Sequence, residues 1–364
     1  MQCRIHLRPM CACVVSTGLI LWTLAAHAAP VSQYTLTDLG ATASPMAIAP
    51  TTDLTVGLQD VGTTPNEQPV ASILAPIGLH LSTLPEGTFS TAQGVSGDGA
   101  TVIGFSSTGP LGLWTHATRW TAAGGVVDLG TLGSADLFSA ARGTNSVGTL
   151  VGSADSPDQT ALVPVVWTAS TPSRLPTLDG GDAFAVAINE AGDIVGNART
   201  PEGQTHCVLW PVAGGITDCH TADSTFSMAL GINTEGLVIG YADTADGPRG
   251  YVWLPSTGMQ FLRPLEGDTQ SAAYAINDAG VVVGRSALPH PDVATQLLHA
   301  AATRWDNGTP TDLNTLITVP GWSLQQAVGI NNRGEIVGTG TFNGQRHGFL
   351  LTPVERSEEG TEAE

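Results

Sequence analysis

Hydrophobic and polar positions along this chain recur with a period of about 44 residues, and within each period they alternate at the two-residue spacing of a β-strand. Aligned on a closing glycine, the copies include AARGTNSVGTLVG at Gly152, AVAINEAGDIVG at Gly196, ALGINTEGLVIG at Gly240, AYAINDAGVVVG at Gly284 and AVGINNRGEIVG at Gly338. AQGVSGDGATVIG at Gly104 carries one extra residue, and MAIAPTTDLTVG at Gly57 is degenerate, as terminal repeats often are. Each copy predicts two short strands around a tight turn. Asn189, Asn233, Asn277 and Asn331 open these turns, where a side-chain amide can bond the backbone two residues on. Gly192, Gly236, Gly280 and Gly334 supply the positive φ.

A third strand follows, ending at Trp120, Trp167, Trp210, Trp253 and Trp305, with Leu351 in the last copy. A fourth is visible in GVVDLGTL, GITDCHT, GMQFLRPL and TPTDLNTL. Four antiparallel strands per period is the size of a propeller blade. The last copy stops after its third strand, HGFLLTP, while YTLTDLGA at residues 34–41 is a fourth strand with no blade before it. Pairing the two predicts an all-β fold: a seven-bladed β-propeller of four-stranded antiparallel blades, closed by the N-terminal strand completing the last blade. Residues 34–353 form this propeller, and 354–364 are an acidic disordered tail. Ala185, Ala187, Ala273 and Ala275 are small where innermost strands crowd the axis. Val186 and Ile188 alternate with them and are expected to pack between blades, at about 1.5–3 kcal/mol per fully buried aliphatic side chain. An extended β-solenoid is the rival architecture, but it would not need matching end fragments.

The first 28 residues change the compartment. Arg4 and Arg8 precede an apolar run and a small-residue AHA triplet, the pattern of a secretory signal peptide. A secreted protein, extracellular or periplasmic, is expected, with no transmembrane segment in the mature chain. The whole chain has 13 basic and 32 acidic residues, a formal charge of −19, and no lysine; losing Arg4 and Arg8 takes it to −21. That charge, with arginines scattered singly, excludes nucleic acid as a partner and favours cations or basic partners. A monomer is expected.

The pattern A-x-G/A-I-N-x-x-G-x-I-V-G, followed by H-A-x-x-W and D-L-G-T-L, resembles the HAF-repeat family of bacterial extracellular proteins, over residues 34–353. The resemblance implies a secreted, repeat-built protein and attaches no defined activity. The chain ends in ERSEEGTEAE and not in a hydrophobic sorting segment, so anchoring through that end is not expected.

Candidate chemistry is sparse. Loops joining second to third strands share a face with the links between blades, and together they carry Asp136, Asp155, Asp158, Asp179, Asp182, Asp223, Asp243, Asp246 and Asp268. This is a candidate acidic binding face; the alternative is that these are solvated turn residues. Calcium could bridge several of the oxygens, although no D-x-D-x-D-G run is present; no other cofactor is indicated. Trp322, in an insertion beside this face, is a candidate ligand-contact aromatic or a core residue. His116, His206 and His347 open equivalent third strands, and His299 lies two residues off that register; repeated around a ring they cannot converge on one zinc ion, so a strand-start role is expected. Cys207 and Cys219, the even pair left after the leader, are a candidate disulfide, with two separate buried thiols as the alternative. No nucleophile elbow or similar catalytic signature stands out. The expected function is a non-enzymatic extracellular binding or scaffold module presenting an acidic loop face to a polysaccharide, protein or cation. A secreted carbohydrate-active hydrolase or lyase is the alternative.

Overall fold

The computed structural model describes residues 31–354 apart from 61–68, 110–113, 123–124, 134–136, 169, 223 and 290–298. The expected leader, 1–28, lies outside the described residues, as do 355–364 of the expected tail. No helix among the described residues is long and apolar enough to cross a membrane.

The strands form seven sheets of four, all antiparallel, and the chain is a seven-bladed β-propeller. Blades 1 to 6 run consecutively over residues 43–80, 90–128, 139–174, 183–218, 227–261 and 270–312. Blade 7 takes its first three strands from the C-terminal end, Trp322–Ile330, Ile336–Phe342 and Gln345–Pro353, and its fourth from Tyr34–Gly40. That closing strand pairs Tyr34 with Pro353, Leu36 with Leu351 and Asp38 with Phe349. His347 Nδ1 lies 2.8 Å from Asp38 Oδ1 across the same join.

The closing glycine of each repeat has one structural cause. In every blade the first strand carries a β-bulge, and the residue just before the bulge pairs with that glycine: Pro45 with Gly57, Ala92 with Gly104, Ala141 with Gly152, Ala185 with Gly196, Ala229 with Gly240, Ala273 with Gly284 and Ala327 with Gly338. The bulge presses a first-strand carbonyl onto the glycine, so a Cβ at Gly196 would collide with Phe184 O and one at Gly240 with Met228 O. Strict alternation does not pass through the bulge. Val186, expected to pack between blades, occupies it and is only half-buried, whereas Ile188 is buried. Small residues beyond the bulge let first strands touch: a Cβ on Gly143 would meet Ala187 Cα at 2.9 Å.

Neighbouring blades are joined by three repeated hydrogen bonds. At the end of the first strand, the Asn side chain reaches the main chain of the next blade: Asn145 Nδ2 donates to Asn189 O at 3.3 Å, Asn189 to Asn233 O at 3.1 Å, Asn233 to Asn277 O at 3.2 Å, Asn277 to Asn331 O at 3.1 Å and Asn331 to Thr52 O at 2.9 Å. The Oδ1 of each accepts the amide four residues on, as from Asp193 to Asn189 (2.9 Å) and Leu237 to Asn233 (3.0 Å). The bond two residues on, expected from turn chemistry, occurs at Asn233 and Asn331 as an addition.

The indole Nε1 of Trp120, Trp167, Trp210 and Trp305 donates to a carbonyl leaving the preceding blade, Ser82, Leu129, Pro176 and Arg263, at 2.7 to 3.1 Å. Finally, a serine opening the next first strand accepts a third-strand amide: Ser90 from Ala71, Ser139 from Ala117, Ser227 from Cys207 and Ser271 from Gly250, at 2.8 to 3.0 Å. Blade 3 forms no such bond. Its third strand has Pro164 there, which has no N–H to offer, and the facing position is Ala183 instead of serine.

Asn233→Ala should lower unfolding stability by about 2–4 kcal/mol in denaturant titration, since a buried carbonyl and a buried amide lose their partners. Deleting residues 34–40 should destabilise the whole ring more than shortening the exposed 201–204 turn does; equal melting temperatures would refute closure through this strand.

Candidate functional site

The aspartates of the expected acidic face are held separately. Asp155 Oδ2 accepts the Phe138 amide at 2.9 Å, and Asp182 Oδ1 accepts the Leu162 amide at 2.9 Å. Asp158 closes its own turn through Ser156 Oγ (2.6 Å) and Thr160 Oγ1 (2.9 Å). Asp246 lies 4.0 Å from Arg249. Asp179 has φ +64°, and its carboxylate, like that of Asp268, accepts no hydrogen bond among the described residues. Asp136 and Asp223 lie outside the described residues. Among the described residues no group of three or more His, Cys, Asp or Glu side chains gathers to hold a metal ion.

Asp243 is the most heavily bonded of the set. Its carboxylate accepts Ser224 Oγ, Thr225 Oγ1 at 2.5 Å and the amides of Thr225 (3.0 Å) and Phe226 (2.8 Å). Partial burial works to raise its pKa, but these hydrogen bonds outweigh it and hold the group at about 2.

The histidines are strand-to-strand clasps. Nδ1 of His116 and of His206 lies 2.8 Å from a carboxylate twelve residues later, Asp128 and Asp218, and His347 reaches Asp38 in the same way. The partner is the aspartate of the D-L-G-T-L motif, which sequence reading passed over although the spacing of 12 was visible. His299 lies just ahead of the third strand of blade 6, Ala301–Asp306. Cys207 and Cys219 are joined as a disulfide, buried, with Cα atoms 5.4 Å apart. Trp322 is half-buried in an aromatic cluster, stacked on Phe342 with centroids 5.4 Å apart and edge-on to His347 at 5.8 Å.

Concavities lie elsewhere. A depression of about 360 Å³ opens on the axis, on the face of the first-to-second-strand turns. It is rimmed by the residue after each repeat's turn asparagine: Ser146, Glu190, Thr234, Asp278 and Asn332, with Thr51 and Gly97 completing the circle. Glu190 accepts the Ser146 amide at 3.0 Å; Asp278 accepts Thr234 Oγ1 at 2.8 Å and Asn332 Nδ2 at 2.6 Å. No basic side chain lines this mouth. Sequence reading missed it because the position after the turn asparagine is a variable one in the motif, and nothing local marks it as the side chain that the ring aims inward.

An apolar cleft of about 400 Å³ between blades 1 and 2 is lined by Leu54, Ile73, Ile77, Leu79 and Val102; its one titratable side chain, His80, lies 3.0 Å from Ser72 Oγ. A niche of about 180 Å³ lies between blades 5 and 6, at the opposite face from the axial mouth, walled by Tyr241, Tyr274, Gln270 and Arg285.

No family model matches the chain, and no curated protein matches its sequence. Solved structures share the fold at low identity. The chain is similar to a virginiamycin B lyase from Staphylococcus aureus at 12% identity and TM-score 0.51, over 88% of this chain and 99% of that one. It is similar to YCF48 bound to D1 peptide at 12% identity and TM-score 0.52, over 92% and 99%. Against a prolyl endopeptidase the TM-score is 0.56 at 12% identity, over 89% of this chain and 47% of that one. Likeness at these identities establishes a shared fold and leaves activity to the residues of the site.

Because the folded Asp243 carboxyl titrates below its ordinary value of 3.8, the stability it contributes is complete above that pH and is lost as pH falls toward about 2. The melting temperature should therefore decline through this window, and Asp243→Asn should flatten the decline in acid-range thermal melts.

Proposed function

We propose that this chain is an extracellular, non-enzymatic binding module that receives a positively charged group of a protein or polymer partner at its axial mouth. The observation that carries the reading is the lining of the mouth. The repeat keeps its turn and closing glycines in most copies, while the seven rim positions hold six different residue types, are small, polar or acidic, and include two carboxylates with no cation among them. A concave site with a few convergent polar groups is the usual form of a ligand site. The surrounding field has the same sign, so a basic partner is steered toward the ring and a free anion is not.

The aspartate-rich opposite face supports the reading in a weaker form. Most of its carboxylates are engaged in turns or near an arginine, and Asp179 and Asp268 are those whose carboxylates accept no hydrogen bond and have no ion pair among the described residues, free to attract a cation by charge alone. Extracellular location is supported by the leader pattern of residues 1–28. The likeness to a propeller bound to a peptide is compatible with a protein partner.

A fluorescent poly-arginine peptide should bind the mature protein and weaken as salt rises. Glu190→Gln combined with Asp278→Asn, which keeps the accepting oxygens, should cost about tenfold or more in affinity, since hydrogen bonds to charged groups are the stronger class. Asp179→Asn combined with Asp268→Asn should leave it nearly unchanged. Equal losses in the two double variants would mean diffuse attraction to an acidic surface and would overturn the axial site.

A further inference from the structure

We propose that the niche between blades 5 and 6 binds the carboxylate of a sugar acid, a uronate residue, with Arg285 as the carboxylate-binding group. The starting point is a charge without a counterpart. Arg249, Arg304 and Arg333 each have a carboxylate at 4.0 Å or closer, while Arg119, Arg142, Arg174, Arg199, Arg263 and Arg346, like Arg285, have none among the described residues; Arg285 is set apart from these by lining a cavity that opens to solvent. Arg285 is half-buried and makes no hydrogen bond or ion pair within the described residues; its recorded contact is with the ring of Tyr274, 5.9 Å from the guanidinium carbon. A guanidinium withdrawn from water without a partner is unfavourable, and an anion entering from solvent relieves that cost.

The rest of the niche fits the same ligand. Its walls hold no carboxylate. Burial raises the pKa of both Tyr241 and Tyr274, against the opposing charge of Arg285, so both phenols stay protonated. The Tyr241 hydroxyl contacts Met228 Sδ at 3.4 Å, and the Tyr274 hydroxyl has no hydrogen-bond partner among the described residues. The site therefore offers a guanidinium and two phenol hydroxyls able to donate, with no carboxylate to compete for them, beside the amide of Gln270. A planar guanidinium receives a carboxylate through two parallel N–H···O bonds, while the tyrosine rings offer apolar faces to the C–H side of a sugar.

Size and backbone geometry select among carboxylates. A volume of about 180 Å³ is below the ~300–1,000 Å³ of drug-sized sites and suits a single ring. A peptide C-terminus is usually captured by a nest of free backbone amides. Here the nearby Ser271 amide is already bonded to Pro248 O at 3.1 Å and the Gly250 amide to Ser271 Oγ at 3.0 Å. The recognition is left to side chains, which favours a sugar acid. The niche faces away from the axial mouth, so the two sites stand or fall independently.

The test is calorimetric titration of the mature protein with sodium galacturonate and trigalacturonate, beside galactose, sulfate and an N-acetylated amino acid. Uronates should bind, and galactose and the amino acid should bind about tenfold or more weakly. Arg285→Gln should abolish uronate binding, Arg285→Lys should weaken it by losing the two-pronged geometry, and Tyr274→Phe should weaken it in part. The Glu190→Gln, Asp278→Asn variant should bind uronates as the parent does. Equal binding of galactose, preference for sulfate or the amino acid, or uronate binding that survives Arg285→Gln would overturn the assignment. So would a lower melting temperature for Arg285→Gln, which would make Arg285 a structural residue.

Discussion

The two-armed hydrogen bonding of the turn asparagine is the constraint on which the ring depends. One arm accepts the amide four residues on and so closes a hairpin; the other donates to the main chain of the next blade. A hydroxyl or carboxylate could do the first, but the second needs an N–H donor at the same end of the side chain, which among short residues only asparagine supplies. Because the bond repeats from Asn145 round to Thr52, the spacing of innermost strands is set at the axis and carried outward. The bulge and its facing glycine answer a second, local constraint: within each blade the bulged first strand leaves no room for a Cβ at Gly196 or Gly240.

Further from the axis the blades are joined by bonds that trade among themselves. The Trp indoles bind carbonyls of the preceding blade, and the serines at strand starts bind amides of the preceding third strand. Pro164 and Ala183 show the same pairing from the other side: where the third strand offers no amide, the facing hydroxyl is absent, although the buried Ser153 hydroxyl opposite Pro164 finds no partner among the described residues. The His–Asp clasp then joins third to fourth strand in blades 2, 4 and 7. In blade 7 it spans the two ends of the chain, so the closing strand is locked by the same contact that stiffens an ordinary blade.

Charge is arranged in three distinct ways. On the loop face, acids such as Asp155, Asp182 and Asp243 serve as acceptors for backbone amides and thereby order the turns that carry them. At the axial mouth, Glu190 and Asp278 bond across blades yet still face the depression. Between blades 5 and 6, Arg285 lies among tyrosines with no carboxylate beside it. An acidic net charge therefore conceals local surroundings of both signs, each defined by which neighbours the ring brings within reach.

The sequence by itself determined the number of blades, their four strands, the pairing of residues 34–40 with the last blade and the small residues at the axis. These are properties of one period or of its register along the chain, and the alternation of side chains expresses them directly. The partners of His116 and His206, twelve residues away inside the same blade, were equally within reach of that reading. Only the tertiary structure decided the bulge that turns Val186 out of its expected place, the inward aim of Glu190 and Asp278, the half-burial of Trp322 and the isolation of Arg285. These depend on contacts between neighbouring blades about 44 residues apart, on packing between strands within one blade, as for Trp322 on Phe342, or on a one-residue shift in pairing. Such contacts exist only once strands and blades have folded against one another, because the paired geometry, and not the local pattern, sets which side chains meet.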